Sequence, residues 1–540
     1  MKNILSHLRY VLVALSVMSL TACTKTVKHE SPESHVTDDG ARIELLFPVD
    51  GRTDVPVDID AIRITLTNIN GELVTPSNIS ITPQLSGVIS LINESEVQVQ
   101  PTDPLAKNTV YTMTVSGLKS LSGNRVAAVS WRFTTASVVN ASPNLNPISK
   151  PEPVGSADCR LSTVLCVDDT VGPNQEYSSI QAAINASQAG DTVKVFSGQY
   201  DGFRVDKSGT PDQRIMIMSV ATDVFITGSE PYGNNAIRIN NASYITVKGF
   251  NISRTNISSR GGYNNACVAA RGANVSVPMQ SLSFINNHLN GCSPAGMYLS
   301  NVNDLLIKRN TVENTKRNAS GLQGMGFYIS NAAADNASII ENKIINNSGH
   351  GIHFNGDSSV GGDGVQSGHL IKGNFIIGNG INGFNMDGVV GAELVNNVFS
   401  KNGRHGIRGF KIDGGSGPRK FKIVNNTFFR NGSSAAKMSA DSGGHVVFNN
   451  IVINNIENNF VINEAKMTVS NNLISTHEVS VFVSVADNDY RLKSAAAAVN
   501  RGIGRLLSVK SPASDISETT RSATPDIGAF ELGSKYPAWY

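Results

Sequence analysis

An asparagine that closes a short β-forming segment recurs eight times in the second half of this chain, and this repeat constrains the fold more than any other feature. The copies are Ile285-Asn286-Asn287, Lys308-Arg309-Asn310, Ile340-Glu341-Asn342, Lys372-Gly373-Asn374, Val395-Asn396-Asn397, Val424-Asn425-Asn426, Phe448-Asn449-Asn450 and Ser470-Asn471-Asn472. Their last Asn residues lie 23, 32, 32, 23, 29, 24 and 22 positions apart, so a unit of 22 to 24 residues carries occasional insertions. A unit this short cannot bury a core of its own, but stacked on copies of itself it pairs its backbone above and below. The predicted fold class is all-β, a parallel β-helix. The recurring Asn should stack at one corner of each coil, bonding the next turn and tolerating left-handed geometry. A leucine-rich horseshoe would need a Leu and helix pattern that is missing.

Composition supports that reading. A chain of 540 residues exceeds one compact core, and 16% charged residues with 49 Gly favour strands and turns over helices. A net charge of +2 supplies no field that would select nucleic acid, so nucleic acid is not an expected partner.

At the start of the chain, Lys2, His7 and Arg9 precede an apolar run from Tyr10 to Leu20 and then Thr21-Ala22-Cys23. This resembles a bacterial lipoprotein signal, which implies that residues 1–22 are a signal peptide and that Cys23 is lipidated. The run is short for a membrane span, so membrane contact is expected through the lipid anchor only. Thr24 after the Cys implies an exported protein at the outer membrane or cell surface. Residues 23–41 are polar, as a tether would be. Across residues 42–136, alternating segments such as Ile62–Leu66 and Val110–Val115 are split by Gly, Pro, Asn and Asp turns, the pattern of a β-sandwich. Phe47-Pro48-Val49-Asp50-Gly51 and Trp131-Arg132-Phe133-Thr134-Thr135 resemble bacterial Ig-like modules. Residues 137–157 read as a linker.

The β-helix is assigned to residues 158–531 and a tail to 532–540. Tyr177–Ala186 has helical spacing before the strand at Thr192–Val195, and Asp489–Leu492 with Thr524–Glu531 reads as a closing segment. Together these resemble the pectate-lyase-like right-handed β-helix family, which contains lyases, hydrolases, epimerases and catalytically silent members. The resemblance implies a helix cap at one end and a carbohydrate, notably an acidic polysaccharide, as partner. Cys159, Cys166, Cys267 and Cys292 are even in number, which in an exported chain permits two disulfides, one local and one across a coil.

Aligning the strand after each Asn corner places Met297, Phe327, Ile352, Phe384 and Ile407 inward. The outward column then reads Tyr298, Tyr328, His353, Asn385, Arg408 and Lys437, beside a second of Ser300, Ser330, Asn355 and Asp387. With about 4.8 Å between strands, the first column makes a strip on the order of 20 to 25 Å long, enough for several sugar units. Tyr298, Tyr328, His350, Asn355, Asn385 and Lys437 are candidate substrate contacts, the aromatic rings as stacking faces.

Two chemistries suit these residue types. In β-elimination, Arg408 or Arg404 would neutralise a uronate, His353 or Lys411 would take the proton, and Tyr328 or His405 would donate to the leaving oxygen. Asp357, Asp363, Asp387 and Asp413 are the candidate ligands for a Ca2+. In glycoside hydrolysis, Asp387 would pair with Asp357 or Asp413. The same Asp residues also suit ordinary turns, and His350 and His405 suit corner caps. Gly349-His350-Gly351 resembles a polygalacturonase element, whose paired-Asp and Arg-Ile-Lys partners have no counterpart here. The Asp-Pro-His motif of alginate epimerases and a Trp-Ile-Asp-His-like pectate lyase motif are absent as well. A non-catalytic glycan-binding or envelope protein is the alternative from another class.

Overall fold

The protein is described by a computed structural model over residues 41–135 and 159–540, apart from 48–51, 56–61, 70–73, 94–95, 104, 160, 171–174, 232, 254–261, 331–333, 439–442, 462–465 and 538. The expected signal, Cys23 and almost all of the tether lie outside the described residues, as do 137–157 of the linker. The described residues divide into two compact units, 41–135 and 159–540.

In the first unit, strands of alternating burial form two four-stranded sheets. One orders Arg42–Phe47, Ile62–Thr67, Glu96–Pro101 and Gly87–Asn93; the other orders Arg52–Val55, Val129–Thr135, Val110–Val115 and Ile79–Thr82. Met113, Trp131 and Phe133 fill the space with Ile64 and Val97 from the facing sheet, the alternation a sandwich requires.

The second unit stacks its strands in three parallel sheets of 12, 11 and 10 strands, each coil giving one strand to each sheet in turn. Inward residues of every coil join one apolar column, including Phe284, Ile307, Ile339, Ile371 and Leu394 of the first sheet, all buried. The corner between the first and second sheets is an asparagine ladder. Asn342 is typical: its Nδ2 donates to Ile307 O at 2.8 Å and Asn374 Oδ1 at 2.9 Å, and its N–H also donates to Asn374 Oδ1. The same bonds run from Asn287 to Asn472. The left-handed conformation belongs to the preceding residue, not to the ladder Asn: Asn286, Arg309, Glu341, Asn396, Asn425, Asn449 and Asn471 have φ between 53° and 58°. This corrects the sequence expectation, because a side chain that must turn inward to bond the core backbone is held by extended geometry, while its neighbour makes the turn.

A second ladder follows five residues later, at the corner between the second and third sheets: Asn347, Asn379, Asn402, Asn431 and Asn455. Where that Asn is replaced earlier in the chain, Cys292 occupies the corner and is disulfide-bonded to Cys267 of the preceding coil. Cys159 and Cys166 form the other disulfide.

At the N-terminal end the helix Ile180–Ala186, capped by Ser179 Oγ accepting from the Ala182 N–H, buries Ile180, Ala183 and Ile184 over the first coil. The C-terminal segment is not an end cap. Phe482, Tyr490, Leu492, Ile516, Ile527 and Phe530 lie along the outer face of the second sheet, against Phe375, Ile377, Val398, Phe429 and Ile451. Residues 532–540 are not a free tail either: Tyr536 and Tyr540 pack on Phe375 at 5.9 and 4.2 Å between centroids. The reason is in the second sheet itself, whose outward residues change from His288, Thr311 and Lys343 to Phe375 and Val398, so the later coils carry an apolar outer face that must be covered.

Candidate functional site

The register of the third sheet makes one outward column of Tyr298, Tyr328, His353, Asn385, Arg408 and Lys437, each the direct partner of the next. Ser300, Ser330, Asn355 and Asp387 form the adjacent column. This is the arrangement the aligned repeats predict, since Met297, Phe327, Ile352, Phe384 and Ile407 are fully buried and alternation fixes the other face.

The aromatic end is less open than expected. Tyr263, from the segment before the strand Val268–Arg271, packs edge-on against Tyr328 at 4.7 Å and over Tyr298 at 6.5 Å. Tyr328 is further bounded by Tyr298 at 5.3 Å and by the His353 ring at 4.7 Å. Burial pushes its phenol well above the usual range, and the hydroxyl bonds Asn355 and Ser330. Tyr328 is therefore a packed support for His353 rather than a proton donor or a free stacking face.

His353 stands at the end of a hydrogen-bond chain whose direction is fixed by backbone. The His405 N–H donates to Asn382 Oδ1 at 3.0 Å, so Asn382 must present its NH2 to Asn385 Oδ1, at 2.8 Å. Asn385 in turn presents its NH2 to His353 Nδ1, at 2.7 Å. An amide NH2 can only donate, so Nδ1 is the acceptor and the neutral ring carries its hydrogen on Nε2. The same follows at the neighbouring corner. His350 Nδ1 accepts from the Asn382 N–H at 3.2 Å, and His405 Nδ1 accepts from the Ser434 N–H at 3.3 Å, with Ser434 Oγ at 2.8 Å. His350, Asn382, His405 and Ser434 thus form a third corner ladder, in which each of the first three side chains takes a backbone N–H of the next coil.

Burial lowers the pKa of His353 to about 4 and of His405 to about 4, in the latter case with help from Arg408, Lys437 and Arg404. Burial, His353 and Arg404 hold His350 well below its ordinary value. All three imidazoles are neutral N–H donors at neutral pH. The assignment of His353 as general base is corrected accordingly: its free nitrogen already bears a hydrogen.

The cations lie at the other end. Arg408 is half-buried, its Nη1 donating to Gly409 O at 2.9 Å, with Lys437 next in the column and Arg404 exposed beside His405. Lys411 is exposed on the following loop.

The carboxylates expected to bind calcium are not brought together. Asp387 is buried and accepts from the N–H groups of Ile412 and Asp413, at 3.0 and 2.7 Å, which locks the loop after Arg408. Asp357 accepts from the Ser359 N–H and Asp363 from the Val365 N–H within their own turns, while Asp413 is exposed and its carbonyl accepts from Ser358. Among the described residues no group of three or more His, Cys, Asp or Glu is placed to hold a metal ion. Asp357, Asp363 and Asp387 each hold a turn or loop through their carboxylates.

Asn382, Ser434 and Tyr263 were not foreseen. Asn382 and Ser434 share the offset of His350 and His405, three residues before the column, so the repeat alignment held the signal. Tyr263 arrives from an insertion, which no periodicity marks.

Residues 38–135 match the family described as the bacterial Ig-like domain, and residues 184–365 the family described as the right handed beta helix region. No curated protein matches the sequence significantly. Among solved structures, the pectate lyase Pel9A is similar at 16% identity over 68% of this chain and 96% of its own, with a TM-score of 0.52. An alginate lyase from Paenibacillus sp. strain FPU-7 aligns at 13% identity over 58% of this chain and 94% of its own, TM-score 0.39. A variant of the periplasmic alginate epimerase AlgG aligns at 14% identity over 53% and 77%, TM-score 0.34. The fold is a right-handed parallel β-helix preceded by an Ig-like domain.

Proposed function

We propose that this β-helix binds an acidic polysaccharide along its third sheet and cleaves it by β-elimination near Arg408. The observation that carries the reading is the chemistry of the groups along and beside the column: the Nε2–H of the partly buried His350, His353 and His405, together with Arg404, Arg408 and Lys437, are all donors. Asn385 Oδ1, which would be an acceptor, is already taken by Asn382. Donors gathered along one strip favour groups that only accept, and on a glycan those are carboxylates or sulfates.

Within that groove elimination is better served than hydrolysis. Arg408 neutralises the uronate carboxylate, which makes the C5 proton removable, and the Nε2–H of His353 or His405 gives a hydrogen bond, not its proton, to the departing glycosidic oxygen, which takes its proton from water. The proton goes to an amine, because the imidazoles have no free lone pair and the guanidinium does not act as a base; Lys437 in the column and Lys411 beside it are the amines at hand. The C4–O bond then breaks and a C4–C5 double bond forms. Export and attachment through a lipid on Cys23 would present this groove to polymers outside the cell.

The test is incubation of residues 24–540 with polygalacturonate, alginate and glycosaminoglycans, read by the ultraviolet absorbance of the unsaturated product. The expected result is absorbance with one of them, lost in Lys437→Ala or Lys411→Ala and in Arg408→Ala. Retention of a glycan without product would establish the second reading, a binding protein, which the lack of a free imidazole lone pair favours. No retention of any acidic glycan refutes both.

A further inference from the structure

The outward column of the third sheet does not begin at Tyr298. Its register continues toward the N-terminal end through Ala269 and Arg238 to Arg204, and the adjacent column through Arg271 and Asn240. We infer that Arg238 and Arg271 form a second anion-binding subsite at this end, for a carboxylate or sulfate of the same acidic glycan that the C-terminal end holds. The inference rests on the reading proposed above and adds to it a requirement for length.

Three guanidinium groups converge here. Arg204 is occupied: its Nε donates to both oxygens of Asp206, at 2.8 and 2.9 Å. Arg238 is half-buried, donates to Asn235 Oδ1 at 3.3 Å, and lies in the field of Glu230 and of the other two Arg residues. Arg271 is exposed, and among the described residues no carboxylate lies within ion-pair distance of it. Asp206 and Glu230 offset two of the three positive charges. Arg271 remains, one coil from Arg238 and repelling it, a cost in the empty protein that a bound anion removes. The column residue between Arg238 and Tyr298 is Ala269, which is buried and carries no polar group to compete for an anion.

From Arg238 to Arg408 is six strand steps, or about 29 Å at roughly 4.8 Å each. Between the two ends lie Ala269, the tyrosines 263, 298 and 328, and His353. The ribbon is therefore cationic at both ends and aromatic between, which matches an extended chain whose acidic groups reach both ends while its apolar sugar faces cross the rings. An oligomer that fills one end gains from one set of cations only.

The test compares binding of alginate and polygalacturonate, each as polymer and as trimer, by calorimetry. In the double variant Arg238→Ala/Arg271→Ala, affinity for the polymer should fall roughly tenfold or more, the worth of a lost charge-assisted hydrogen bond, with a shallower salt dependence and no change for the trimer. Arg408→Ala should weaken both. The thermal midpoint of each variant confirms that the fold is intact. Polymer binding and salt dependence unchanged in the double variant, with Arg408→Ala impaired, would remove the second subsite and leave the proposed function standing. A parent protein that binds neither polymer would overturn both.

Discussion

Asn385→Asp tests the chain of donors that makes His353 an N–H donor. In the native groove Asn385 gives a hydrogen to His353 Nδ1 and receives one from Asn382, so the ring is held in its Nε2–H form with a pKa of about 4. A carboxylate at position 385 keeps the bond from Asn382 but must receive, not give, at His353; the ring hydrogen moves to Nδ1, and the negative charge favours the imidazolium. A neighbouring opposite charge raises such a pKa by about 1 to 3 units, so the expected midpoint is between about 5 and 7, a change of about 1.4 to 4 kcal/mol in the protonation equilibrium. Long-range proton–nitrogen correlation spectra of protein labelled at histidine report both tautomer and pKa, with His353→Gln supplying the assignment. The parent should show Nε2–H and no titration of this ring between pH 5.5 and 8, whereas the variant should show Nδ1–H and a midpoint inside or near that range. A parent ring protonated at Nδ1, or titrating near 6.5, would refute the argument and restore His353 as a candidate base.

Four further outcomes are expected. Asn374→Ala leaves the Asn342 N–H and the Ile339 carbonyl without ladder partners inside the wall, at about 1 to 3 kcal/mol each, so the unfolding midpoint in guanidinium should fall by the equivalent of about 2 to 6 kcal/mol. Buried His369 and His445 have pKa values lowered by burial to about 3 and about 4. Between those values and the unfolded value of about 6.5 only the unfolded chain binds the protons, so stability falls as pH drops from about 6.5 toward 4; roughly 2 kcal/mol per ring is lost by pH 5, and His369→Phe/His445→Phe should flatten that slope in melting curves. Asp387→Ala should free the loop of Ile412 and Asp413 and expose it to protease, while added calcium or a chelator leaves both the melting curve and glycan retention unchanged. Tyr263→Ala should reorient Tyr328 and lower affinity for the acidic glycan without touching the tautomer of His353, which calorimetry and the same spectra separate.

Most of the fold and the outward column of the third sheet are legible in the sequence. The eight Asn corners determined the coil, the alternation of Met297-Tyr298-Leu299 determined which side chains face outward, and the two together fixed a column running from Tyr298 to Lys437. Both rest on local rules, the period of two in a strand and the need of a short coil to pair with its copies. What each exposed group can do was decided only in three dimensions. Asp387 looks like a ligand until two backbone N–H groups of another coil are found on it, and His353 looks like a base until Asn385, 32 residues away, is seen to donate to it. The apolar outer face at Phe375 and the segment that covers it are equally non-local. A hydrogen-bond partner from a neighbouring coil sets whether a nitrogen gives or takes a proton, and neither composition nor spacing carries that information.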